Sequence, residues 1–180
     1  MAEKKRSVGL VVLTKVPEVG VVAVLQRRGK FNPEKLADGK IKESYPGGCQ
    51  VTCHGRVELG DDDEEAALLR EAQEELGLEA AHKLLVQNRG RLVKLVEHRG
   101  DTEDATTFGI FMPDPDFLKL IHLGPSSGGL ELLPGSEVGN ICHLRDFDKS
   151  TGVTDLDVIA MYYDERGAVR LAFDKLVPKG

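Results

Sequence analysis

Tryptophan is missing from these 180 residues, and phenylalanine and tyrosine bring the aromatic share to only 5%. A broad stacking platform for a ligand is therefore not legible in the sequence. Cysteine is scarce too. Cys49, Cys53 and Cys142 are an odd set, which excludes a fully paired disulfide framework and fits reduced thiols, so a cytoplasmic protein is expected. No apolar run approaches the roughly 20 residues that a bilayer-crossing helix needs. The opening MAEKKRSVGLVVLTKV has no small-residue cleavage pattern after its basic start, and its apolar run reads as a strand rather than a secretory signal. No Rossmann glycine pattern occurs, and the one GxSxG match, GPSSG at 124–128, falls in a Gly- and Ser-rich stretch that reads as a surface loop, so neither a dinucleotide fold nor a convincing serine nucleophile is indicated. Positive charge is in deficit, with 24 Lys and Arg against 30 Asp and Glu and a net charge of −6. That balance disfavours nonspecific binding to nucleic acid or to anionic membrane, and any phosphate chemistry would need a cation.

What remains is an ordinary globular composition, 41% hydrophobic and 30% charged, long enough for one well-cored domain spanning residues 1–180. Ser7–Val16 and Gly20–Gln26 are β-branched runs separated by PEVG, which predicts a hairpin. The Gly-, Pro- and Lys-rich connection that follows is long for a compact domain and is either substrate-facing or simply solvated. From Asp62 to Leu76 the period becomes helical, with Leu69, Ala72 and Leu76 on one stripe. Asp61, Asp62 or Asp63 can cap its start, and Gly77 suits a left-handed residue at its end. Leu84–Val86, Gly90–Glu97, Thr106–Met112 and Glu137–Leu144 read as strands, LGPSSGG as a surface loop, and Asp155 to about Lys175 as a helix burying Ile159, Tyr162, Val169 and Phe173. Strands flanked by two helices predict an α/β sandwich with a mixed sheet.

The chemistry gathers in LLREAQEELGL. Glu71, Glu74 and Glu75 stand at i, i+3 and i+4 on one helical face, where like charges repel unless something compensates them. Arg70, four residues before Glu74, can organise the cluster. Glycines in PGG and HG, before the helix, let backbone carbonyls approach a ligand. Carboxylates and carbonyls are hard oxygen donors suited to Mg²⁺ or Mn²⁺.

REAQEELGL, from Arg70 to Leu78, resembles the second half of the Nudix hydrolase signature, with Ala72 in the aliphatic slot. The first half departs from that pattern. Without a gap, Asp62 and Arg56 take the Glu and Gly positions; with one inserted residue, Asp61 and Gly55 do, and this register is favoured. The resemblance implies an α/β/α sandwich and a pyrophosphohydrolase that uses Mg²⁺ or Mn²⁺ to cleave a phosphoanhydride in a small nucleotide-type substrate. It implies Gly55, Glu71, Glu74 and Glu75 as metal ligands, Glu71 as a third ligand or as the base, and Arg70 as organiser, while Gly48 rivals Gly55 as the carbonyl donor. A later carboxylate joins the site in many members; Glu137 is the candidate, ahead of Glu103 and Asp104. Arg27 and Arg28, with Lys30 and Lys35, are candidates for contacting substrate phosphates or sugar, against a bland role as solvated charges.

Three other readings compete. Cys49, Cys53 and His54 with Cys142 and His143 suggest zinc, but CQVTCH is not a usual zinc-finger spacing. TCHG before the helix is similar to isopentenyl diphosphate isomerases, yet no histidine precedes His54 to complete their metal site. A non-catalytic nucleotide-binding module of the same fold is the alternative from another class, and the intact acids speak against it. Markers of individual substrates are missing, and no feature decides whether the chain forms a homodimer.

Overall fold

The computed structural model describes residues 4–32 and 41–178. Its spine is β1, Lys5–Val16, whose residues from Ser7 to Thr14 are all buried. A strand covered on both faces reads as a continuous apolar run, and SVGLVVLT is one. The predicted hairpin forms: β2, Gly20–Arg28, returns antiparallel along Val12–Val16 of β1. On its other side β1 runs parallel to β6, Glu103–Met112, along almost its whole length, and β5, Val93–Arg99, closes that edge antiparallel to β6. The sheet is thus mixed.

β2 accompanies only the second half of β1. Beside the first half lies β4, Cys53–Arg56, antiparallel with Ser7 paired to Arg56 and Leu10 to Cys53. At the seam between β2 and β4, the Thr52 hydroxyl accepts the Val12 amide at 2.8 Å and donates to the Val24 carbonyl at 2.5 Å. A side chain there replaces the ladder bond that neither strand can supply, as a buried backbone group requires. β3, Cys49–Gln50, and β7, Ser127–Pro134, both pair with β2.

Two apolar clusters sandwich the sheet. On one face α1, Glu64–Leu76, buries Ala67, Leu68, Ala72 and Leu76 against Val8, Leu10, Val12 and Ile110. On the other, α3, Tyr163–Leu176, buries Ala168, Val169 and Ala172 against Val11, Leu13 and Leu25. The architecture is the expected α/β/α sandwich. Asp63 caps α1, its carboxylate accepting the Ala66 amide at 2.8 Å.

Several local expectations are corrected. Leu84–Val86 is not a strand: after α2, Leu78–Ala81, it belongs to a π-helical turn, His82–Val86, in which consecutive Leu84 and Leu85 both enter the α1-side core. Neighbours in a strand point to opposite faces, so only a helical backbone allows this. The strand predicted from Gly90 begins at Val93, after a 3-10 turn. Glu137–Leu144 is a 3-10 turn followed by the two-residue β8, Cys142–His143, and it buries Val138, Ile141 and Leu144 at a spacing of three. The LGPSSGG loop runs into β7. The last helix starts at Tyr163 rather than Asp155, because Ala160–Met161 forms β9 beside β8. Gly77 has the positive φ of 90° that favours glycine, but its ψ of 159° is extended rather than left-handed helical. Among the described residues no helix is long and apolar enough to cross a membrane.

Candidate active site

β4 is short and the turn after it leads straight into α1, so the acidic face of α1 lies against β4. Gly55 sits where the two meet. A Cβ on Gly55 would stand 1.8 Å from Glu71 Cδ, so any other residue there would displace that carboxylate from its present position. Glu71 Oε1 accepts the Arg56 amide at 3.1 Å, and Glu75 Oε2 accepts the His54 amide at 3.2 Å and Gln26 Nε2 at 3.2 Å. Gln26 also donates to the Thr52 carbonyl at 2.7 Å. Two helix carboxylates therefore hold the strand by its backbone, and the seam residues hold it from beneath.

Arg70 compensates the acids, as the sequence suggests, but its main partner lies outside the helix. Nε and Nη2 reach the two oxygens of Asp61 at 3.2 and 3.0 Å, Nη1 reaches Glu71 at 2.9 Å and Glu74 at 3.4 Å, and Nη2 donates to the Arg56 carbonyl at 2.7 Å. This bidentate pair supports the inserted register, with Asp61 at the acidic position. The Arg70 guanidinium holds the Asp61 carboxyl below its usual range. Burial instead raises Glu71, and the raising outweighs the help it receives from Arg70.

The donors fit a hard divalent cation. The Glu71 and Glu75 carboxylates and the Gly55 carbonyl are hard oxygen donors of the kind such a cation takes, and burial disfavours the charge on Glu71. Among the described residues no three His, Cys, Asp or Glu side chains are grouped closely enough to enclose an ion. Glu74 is 52% exposed beside Arg70 and would have to rotate to join. Gly48 fits less well than Gly55: its carbonyl accepts the Arg28 amide at 2.7 Å, and its Cα hydrogens face Leu144 and Ala160.

Other expectations separate. Arg27 is not a substrate-facing residue. It is buried, it pairs with Glu131 at 2.7 Å, and it donates to the carbonyls of Gly47, Leu156 and Val158. Arg28 is half-buried over the Tyr162 ring. Glu137 is exposed on the 3-10 turn whose Val138 packs on the α3 side. Glu103 accepts from Ser7 and Asp104 pairs with Lys4, at the start of β6. Lys30 is exposed, and Lys35 lies outside the described residues. Cys49 and Cys53 face opposite cores, and burial pushes the Cys49 thiol up to about 12 and the Cys53 thiol well above its usual value. Neither is a thiolate at neutral pH. The sequence reading missed Gln26 and Glu165. Glu165 carries a signal, since it stands on the stripe of Ala168, Val169 and Ala172 where an apolar residue is expected.

A family model described as NUDIX domain matches residues 3–160. Nothing among curated proteins matches the chain. The NUDIX domain of Shewanella oneidensis NrtR, solved with ADP ribose, is similar with a TM-score of 0.61 and 12% identity, over 98% of this chain and 91% of that one. A mutT/nudix family protein from Listeria innocua gives a TM-score of 0.59 at 16% identity, over 97% and 94%. A C. elegans Ap4A hydrolase binary complex gives 0.50 at 14%, over 94% and 96%. At such identities the likeness shows the fold.

Proposed function

The chain belongs to the NUDIX family, and from that premise we propose that it is a Mg²⁺- or Mn²⁺-dependent hydrolase of a phosphoanhydride in a nucleoside diphosphate derivative or nucleoside triphosphate. One observation carries the reading: Arg70, Glu71, Glu74 and Glu75 are all present on α1, and the Glu71 carboxylate lies directly against Gly55, where a side chain would displace it. Solved relatives of the same fold include complexes with ADP ribose and an Ap4A hydrolase, which supports a nucleotide-type ligand.

Glu71, Glu75 and the Gly55 carbonyl would hold the cation, with Glu74 completing the set after a rotamer change. When bound, the cation supplies charge neutralisation of the diphosphate and Lewis acidity at phosphorus. If Glu71 is the base rather than a third ligand, it would take a proton from the attacking water as the new phosphorus–oxygen bond forms and the bridging one breaks. Arg70, tied to Asp61, restrains Glu71 from swinging away.

A turnover screen with Mg²⁺ across nucleotide sugars, ADP-ribose, dinucleoside polyphosphates and oxidised nucleotides tests the proposal. Hydrolysis of at least one, abolished in Glu74→Gln, is expected. Tight binding with no product from any of them would favour a nucleotide-binding module instead.

A further inference from the structure

Gln26 is a buried amide that reaches the acidic face of α1 from within the sheet. It is 3% exposed, and its backbone pairs with Gln50 of β3 and with Leu130 of β7, so the side chain springs from a rigid base. Nε2 donates to the Thr52 carbonyl at 2.7 Å and to Glu75 Oε2 at 3.2 Å, which uses both N–H bonds of the amide. Thr52 is fixed in turn, fully buried with its hydroxyl bonded to Val12 and Val24. The His54 amide meets the same Glu75 oxygen at 3.2 Å. This side of the carboxylate is therefore gripped from β2 and from segment 51–56, and both grips lead back to the seam between β2 and β4.

The kind of donor says more than packing requires. Arg70 holds Glu71 and Glu74 with a charged group, whereas Gln26 and the His54 amide hold Glu75 with neutral ones. Charged donors make the stronger bonds. A lysine at position 26 could reach the same two oxygens, but its ammonium would compete with any cation for the Glu75 carboxylate. Methionine has the same length and brings no charge, yet it offers neither oxygen a hydrogen bond. Glutamine combines reach, donation and neutrality.

We propose that Gln26 is a positioning residue for the cation site: its amide fixes the direction of Glu75 while leaving the carboxylate its full charge for a divalent ion. Gln26 has this role only if Glu75 is a cation ligand, as the proposed function has it. The test is a titration of the full chain with Mn²⁺, followed by the electron paramagnetic resonance signal of the unbound ion, for the wild type, Gln26→Met, Gln26→Lys and Glu75→Gln. Loss of a hydrogen bond that orients a ligand weakens metal affinity by about 10–100-fold. Gln26→Met is expected near the lower figure, Gln26→Lys near the upper one, and Glu75→Gln weaker than either. With any substrate that is turned over, both Gln26 variants are expected to keep their KM and to regain the wild-type rate as Mn²⁺ is raised, which a packing defect would not do. Circular dichroism melts establish which variants fold, and Gln26→Asn, which withdraws the amide by one methylene, replaces any that does not. The role of Gln26 is refuted if its folded variants bind Mn²⁺ as the wild type does, if Gln26→Lys binds no more weakly than Gln26→Met, or if their rate stays low at saturating Mn²⁺. A wild type that takes up no Mn²⁺ removes the cation site and the role of Gln26 together. Affinity that falls in Glu75→Gln but not in the Gln26 variants removes the role of Gln26 alone, and the expected order of affinities without turnover of any substrate removes the hydrolase alone.

Discussion

Glu71 is the residue at which stability and chemistry oppose each other. Burial raises its pKa, so holding it ionised costs stability above the folded value, and that cost is relieved as pH falls through it. Glu71→Gln is therefore expected to raise the melting temperature at pH 7 while lowering kcat by about 10²–10⁴-fold. A variant that melts below the wild type would contradict this. Asp61 has the opposite sign. Its folded pKa is lowered by Arg70, so the stabilisation is complete above the ordinary carboxylate value of about 3.9 and disappears as pH drops through the lowered one. Asp61→Asn is expected to cost about 2 kcal/mol at neutral pH, as for a hydrogen bond to a charged partner. In urea titrations repeated toward pH 2, the gap between variant and wild type should close.

Among the elements, β2 shows how an alternation pattern can mislead. RR at its end reads as two charges that face a substrate or are simply solvated, yet the pairing with β7 is irregular between Arg27 and Arg28. Both arginines consequently meet segment 156–162, Arg27 through the Leu156 and Val158 carbonyls and Arg28 through Tyr162. Removing Arg27 strands Glu131 and three carbonyls. Arg27→Met is expected to lower unfolding free energy by about 3 kcal/mol with KM unchanged for whichever substrate is turned over; a raised KM with full stability would restore a substrate-binding role. β7 escapes the sequence reading for a related reason. LGPSSGG reads as a loop, but Gly128 and Gly129 are where the β7 backbone crosses the irregularity: a Cβ on Gly128 would lie 2.9 Å from the Arg28 carbonyl, and Gly129 has φ 130°.

At the scale of the whole molecule, the site depends on β1 changing partners. Because β2 leaves and β4 takes over beside the same strand, segment 51–56 lies between the two helical layers. α1 grips it through Glu71 and Glu75, and α3 through Glu165. A cation bound there links to folding. At 100 times its Kd, stabilisation is about 2.7 kcal/mol, which for a chain of this size is a rise of roughly 5–10 °C in melting temperature. Mg²⁺ or Mn²⁺ is expected to produce that rise, EDTA to reverse it and Glu75→Gln to abolish it, as read by calorimetry; an equal rise with K⁺ at matched ionic strength would show plain screening.

The hairpin, the capped acidic helix, the α/β layering and the cluster of Arg70 with three glutamates could be read from order along the chain, because period, turn residues and i, i+3, i+4 spacing are local properties. Even the departure at Asp61 was legible as a choice between two registers. Which register holds, which glycine faces Glu71, why Arg27 is structural, and that Glu165 stands behind the site all depend on groups far apart in the chain. These follow from pairing irregularities and from two helices packing on opposite faces of one strand, and neither leaves a periodic trace.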